Sequence, residues 1–152
     1  MTDAELTRAF ERGEIPNAEF HHDSHLRVAW AYLRESASPA LAMERMAASL
    51  RQFAAAAGKA EKYHHTMTVF WMQAMALAGS SMQGRDAADV LRANPCLLDK
   101  DLPLAFYSRE RLFSEAARLS WVAPDRQPLT ADAPALRSSD SQSDTPDRSL
   151  RR

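Results

Sequence analysis

Five histidines fall in two tight groups, His21, His22 and His25 and then His64 and His65, and none lies elsewhere in the 152 residues. Imidazole is the side chain best suited to carry a proton near neutral pH or to ligate a transition metal. His22 and His25 are three residues apart, so on a helix they share a face. That face runs on through Leu26, Ala29 and Leu33. His64 opens a second apolar segment, with Thr68 and Trp71 following on its side at i+4 and i+7. If the two segments pack side by side, His22, His25 and His64 converge. Helix N-termini disfavour positive charge and so hold an imidazole neutral, the form that ligates metal. The expectation is a three-histidine divalent-metal site that keeps a position open for water or substrate, as catalytic zinc sites do. His65, Thr68 and Tyr63 are expected beside it as catalytic or orienting groups, with His21 outside.

Zinc in such a site would acidify its bound water for hydrolysis or elimination, whereas iron would bind oxygen or an enolisable substrate. Zn or Fe is expected ahead of Cu. Met67, Met72 and Met75 would suit Cu(I), but methionine at helical spacing reads as core filler. Glu19, Asp23 and Glu61 flank the histidines and read as solvated charge, and Cys96 before Leu97-Leu98 reads as a small buried residue. The function expected on this basis is a small metal-dependent enzyme acting on a small-molecule substrate. The alternative is a non-enzymatic helical module that binds a ligand or a protein, its histidines serving as structural hydrogen-bonders. Metal-free acid–base catalysis by neutral histidines is a third course.

The elements that must carry these residues are helical. Thr2-Asp3-Ala4-Glu5 has the form of a capping box, Leu6 and Phe10 repeat at i, i+4, and Gly13 stands where a helix closes. A second helix is expected from about His21 to Glu35, with Leu26, Ala29, Trp30 and Leu33 as its stripe. Ser38-Pro39 suits an N-cap followed by the first helical position. It opens a third helix from Pro39 to Ala57, lined by Met43, Met46, Leu50 and Phe53 and stopped by Gly58. The fourth, from about His64 to Ala78, has almost no polar face and is expected at the centre of the domain. A short helix over Asp86 to Ala93 ends at Asn94-Pro95. Leu97 to Phe106 reads as irregular but packed, and a last helix is expected from Arg109 to Trp121. No strand-like alternation of useful length occurs, so the fold class is all-α, a single-domain bundle of about five to six helices.

Composition bounds the remaining possibilities. Apolar residues make up 45% and the net charge is −1, which excludes the basic footprint of a nucleic-acid binder. No apolar run reaches the length of a membrane span, and Met1 to Glu11 does not read as a signal peptide. One cysteine excludes an internal disulfide and fits a cytoplasmic location. No glycine-rich phosphate loop is present. From Ala123 the chain turns rich in Pro, Ser and Asp, so the folded domain is expected over 1–122 and a disordered tail over 123–152. Oligomeric state is not readable from the pattern.

Three segments carry a resemblance. Phe20-His21-His22-Asp23-Ser24-His25-Leu26-Arg27-Val28-Ala29-Trp30 resembles an F-x-H-x-x-H-[LV]-R-x-A-W signature. Tyr63-His64-His65-Thr66-Met67-Thr68 resembles Y-H-E-T-x-T. Tyr107-Ser108 through Leu112, with Trp121 to Asp125, resembles a shared closing segment. Together they resemble a family of small, generally uncharacterised bacterial helical proteins, over roughly Phe20 to Asp125. The resemblance picks out His22, His25 and His64 and brings no activity with it. The chain departs from the pattern at His65, where the family has Glu. Either a nitrogen ligand or base there stands in for that carboxylate, or the activity of this member is altered or lost.

Overall fold

The computed structural model describes residues 1–137, and these form a single all-helical domain of seven α-helices without a strand among the described residues. The first helix, α1 (Asp3–Glu11), starts at the expected capping box. Thr2 Oγ1 accepts the Glu5 amide at 3.0 Å, and Glu5 accepts the Thr2 amide at 2.8 Å. Its end is set by Gly13, whose φ of +72° is a left-handed conformation that costs glycine little. Helix α2 (His22–Glu35) follows, then α3 (Pro39–Ala56), whose cap is Ser38 accepting from the Leu41 amide at 3.2 Å. Helix α4 spans His65–Ala78, one residue later than expected because His64 is its N-cap rather than its first turn. Asp86 caps α5 (Ala87–Ala93).

Helix α2 packs against α1, α3, α4 and α5 and is the hub of the bundle. Leu26, Val28, Ala29, Trp30 and Tyr32 are all buried there, and Phe70, Met72, Ala74 and Met75 of α4 meet the same core. Two polar ties fix the register. Asp3 accepts from Arg27 Nε and from the Ala87 amide, both at 2.8 Å, so one carboxylate joins α1, α2 and α5. The buried Tyr32 hydroxyl donates to Glu11 at 2.7 Å and lies 2.9 Å from Ser49 Oγ. Burial pushes that phenol up to about 12. At Gly79, after α4, a Cβ would overlap the six-membered ring of Trp30, so the close approach of α4's end to α2 depends on the missing side chain.

The C-terminal part differs from the expectation. Instead of one helix over Arg109 to Trp121, two short helices form, α6 (Arg109–Leu112) and α7 (Glu115–Leu119). The break is at Ser114, whose Oγ accepts the Ala117 amide at 3.1 Å and so starts a new helix. This split accounts for seven helices where about five to six were expected. Leu97 to Phe106 is indeed irregular and packed, built on two 3-10 turns with Leu97, Leu102 and Phe106 buried.

Packing also continues past the expected domain boundary at residue 122. The Arg126 amide donates to Phe106 O at 2.9 Å, Gln127 Nε2 to Ala105 O at 2.8 Å, and Ala133 is buried with Leu129 and Leu136 against the core. Backbone hydrogen bonds and a few small apolar contacts hold this Pro-rich strip, which composition alone does not reveal. The part of the expected tail beyond residue 137 lies outside the described residues. No helix among the described residues is long and apolar enough to cross a membrane.

Candidate functional site

A cleft of about 610 Å³ opens between α2, α3 and α4. Phe20, Ala29, Met46, Leu50, Phe53, Met67, Trp71 and Met72 give it mostly apolar walls. His22, His25, His64, Tyr63 and Thr68 all line it, so the structure does bring five of the six expected site residues to one place. The sixth, His65, is adjacent through Tyr63, whose hydroxyl donates to His65 Nδ1 at 2.8 Å. Exposed His21, expected outside the site, lines the cleft as well.

The imidazoles share the cleft but not a coordination point. Among the described residues, no group of three or more His, Cys, Asp or Glu side chains is placed to hold a metal ion. The expected divalent-metal centre on His22, His25 and His64, whether zinc, iron or copper, is therefore overturned, and with it the metal-dependent enzyme. The reason lies in where the ring nitrogens go. His64 Nδ1 accepts the Met67 amide at 3.1 Å, which caps α4. Its Nε2 sits 2.7 Å from Leu112 O and, facing a carbonyl, must donate. Both nitrogens are thus in use, in the neutral Nε2–H tautomer. His22 Nε2 likewise donates to Leu97 O at 2.8 Å, and its ring stands edge-on to Trp71 with centroids 4.5 Å apart. These two histidines pin α2 to the 3-10 turn at Leu97 and the start of α4 to the end of α6. Both rings do point inward, as their helix faces require, but inward they meet backbone carbonyls.

His25 is different. It is mostly buried, packs edge-on to Phe20 at 4.5 Å, and forms no side-chain hydrogen bond among the described residues. Burial, aided by the neighbouring His22 and opposed by Asp23, holds its pKa down to about 4. At neutral pH it is an uncharged imidazole facing an apolar space.

The opposite end of the polar wall is a small network. His65 Nδ1 accepts from Tyr63 and lies 3.5 Å from Arg51, whose guanidinium also stands 4.7 Å over the Tyr63 ring. Burial lowers the His65 pKa, and the nearby Arg51 guanidinium acts the same way. Burial raises the Tyr63 phenol, while the neighbouring Thr68 hydroxyl and the Arg51 charge oppose that shift. Thr68 Oγ1 donates back to His64 O at 3.0 Å, a bond within the helix.

The α3 wall of the cleft was not among the expected site residues. Met46, Leu50 and Phe53 read in the sequence only as a core stripe, and a stripe that faces a space looks the same as one that faces a helix. Lys59, Lys62 and Lys100 also line the cleft. No family model, no curated protein and no solved structure matches this chain.

Proposed function

We propose that the protein binds a small, largely apolar molecule in the cleft between α2, α3 and α4. The observation that carries this reading is the cleft itself: ligand-sized, walled by aromatic and methionine side chains, and edged by a few convergent polar groups. In this reading His22 and His64 are structural, and His25 offers the ligand an unspent hydrogen-bonding edge. The test is binding of a neutral apolar probe, decanol, followed by calorimetry and by amide shifts, to the wild type and to Ala54→Trp. Ala54 is a half-buried cleft residue whose replacement by indole fills the space. Saturable one-to-one binding that weakens by about tenfold or more in the filled variant is expected. Absence of saturable binding, or equal binding by the filled variant, refutes the reading.

The contact between Tyr63 and His65 favours a second reading, metal-free proton transfer to or from the bound molecule. Tyr63 would be the group that touches the ligand, and His65 with Arg51 would position it. Tyr63→Phe would then abolish turnover and leave binding intact, and added chelator would change nothing. Residence in the cytoplasm is part of the proposal, supported by the single cysteine. So is membership in the small bacterial family, supported by the Phe20–Trp30 and Tyr63–Thr68 segments.

A further inference from the structure

The chain has sixteen arginines and three lysines, and all three lysines, Lys59, Lys62 and Lys100, line the cleft. Every ion pair among the described residues is made by an arginine. None of the three ammonium groups has a hydrogen-bond or ion-pair partner among those residues. Lys59 and Lys62 stand on the connector between α3 and α4, and Lys100 stands on the turn after the Pro95–Leu98 segment, so two loops distant in sequence present their cations to one space. No Asp or Glu lines the cleft, although Glu61 stands between Lys59 and Lys62 in the chain and Asp99 and Asp101 flank Lys100; Asp23 lines the adjoining groove together with Lys100.

Charge of one sign around an apolar space, in a chain whose net charge is −1, is a recognition pattern rather than a solubility pattern. Arginine serves the structural ion pairs because its planar fork matches carboxylates on neighbouring helices. Lysine brings a mobile point charge that can follow a head group. Two fourteen-residue helices, α2 and α4, also begin at the cleft, and their positive ends add to the same field. We propose that the cleft takes an organic anion: an apolar chain or ring lying between Phe20, Phe53, Met67 and Trp71, with a small acidic head group held by Lys59, Lys62 and Lys100. This rests on the cleft being a binding site, and it adds the chemical class of the ligand.

The experiment compares three probes with one chain, decanol, decanoate and decyl phosphate, each below its aggregation threshold, on the wild type and on the triple variant Lys59→Gln, Lys62→Gln, Lys100→Gln. Because these side chains are exposed and support no structural contact, the variant should fold, which its melting temperature verifies. At least one anion should bind the wild type about tenfold or more tighter than decanol, should lose that advantage in the variant, and should weaken with added salt while decanol does not. The anion that loses more identifies the head group as carboxylate or phosphate. Equal binding of all three probes overturns the anion assignment and leaves the cleft reading standing. Tighter binding of an anion that survives the triple substitution overturns the role of the lysines. Failure of every probe removes the cleft reading itself.

Discussion

Acidification should unfold this protein through His25, and His25→Gln should remove that part of the pH dependence. In the folded chain the imidazole is held down to about 4 by its burial beside Phe20 and by His22, against 6.5 in an unfolded chain. The unfolded state therefore binds the proton more tightly, and stability falls as pH drops. The contribution is fully present above pH 6.5 and is lost progressively on the way down to about 4. The difference is about 2.5 pK units, or roughly 3 kcal/mol by pH 4 and about 2 kcal/mol by pH 5. Against a total stability of about 5–15 kcal/mol for a domain, that is a large fraction. Urea unfolding from pH 7.5 to 4.5 should show the wild type falling more steeply than His25→Gln, the gap widening below pH 6.5. The His25 ring resonances should titrate well below pH 6.5. Parallel stability profiles for the two proteins, or a His25 midpoint near 6.5, would refute the placement of this ring in an apolar wall.

Three other outcomes follow from the packing. His64→Ala should cost about 2 kcal/mol, since it removes both the cap on the Met67 amide and the tie to Leu112 O, and His64→Asn should restore the cap part, as read by urea midpoints. Gly79→Ala should destabilise by about 1–3 kcal/mol, because the new methyl overlaps the buried Trp30 ring, and the melting temperature should drop accordingly. Asp3→Ala should cost about 2 kcal/mol and speed hydrogen exchange at the Ala87 amide, which loses its acceptor along with Arg27.

His22 and His25 do share a face, His64 does begin the most apolar helix, and the three rings do line one cleft. What local spacing leaves open is the partner of each nitrogen. His22 reaches a carbonyl 75 residues along the chain, in a 3-10 turn, and His64 one 48 residues along, at the end of α6, and neither pairing is set by the spacing of neighbouring residues. A ring that donates to one carbonyl and caps a helix has no lone pair left for a metal, and no local pattern distinguishes that ring from a ligand.

Helix starts and stops were legible because they depend on interactions within a few residues: Thr2 with Glu5, Ser38 with Leu41, and Gly13 in its left-handed conformation. The all-α class and the burial of α4 follow from apolar stripes that a helix must bury, whereas the place of α2 as the hub of the bundle was not read from its pattern. The break at Ser114 sat on the boundary of legibility, since the same hydroxyl can face solvent in a continuous helix or cap a new one. Only the tertiary structure decided that α3 stands off far enough to leave a cleft, that the strip after residue 122 packs back on the core, and that lysines 59, 62 and 100 face one space. Those outcomes depend on which surfaces meet across long stretches of chain. That is a global competition among burial energies, and no window of neighbouring residues contains it.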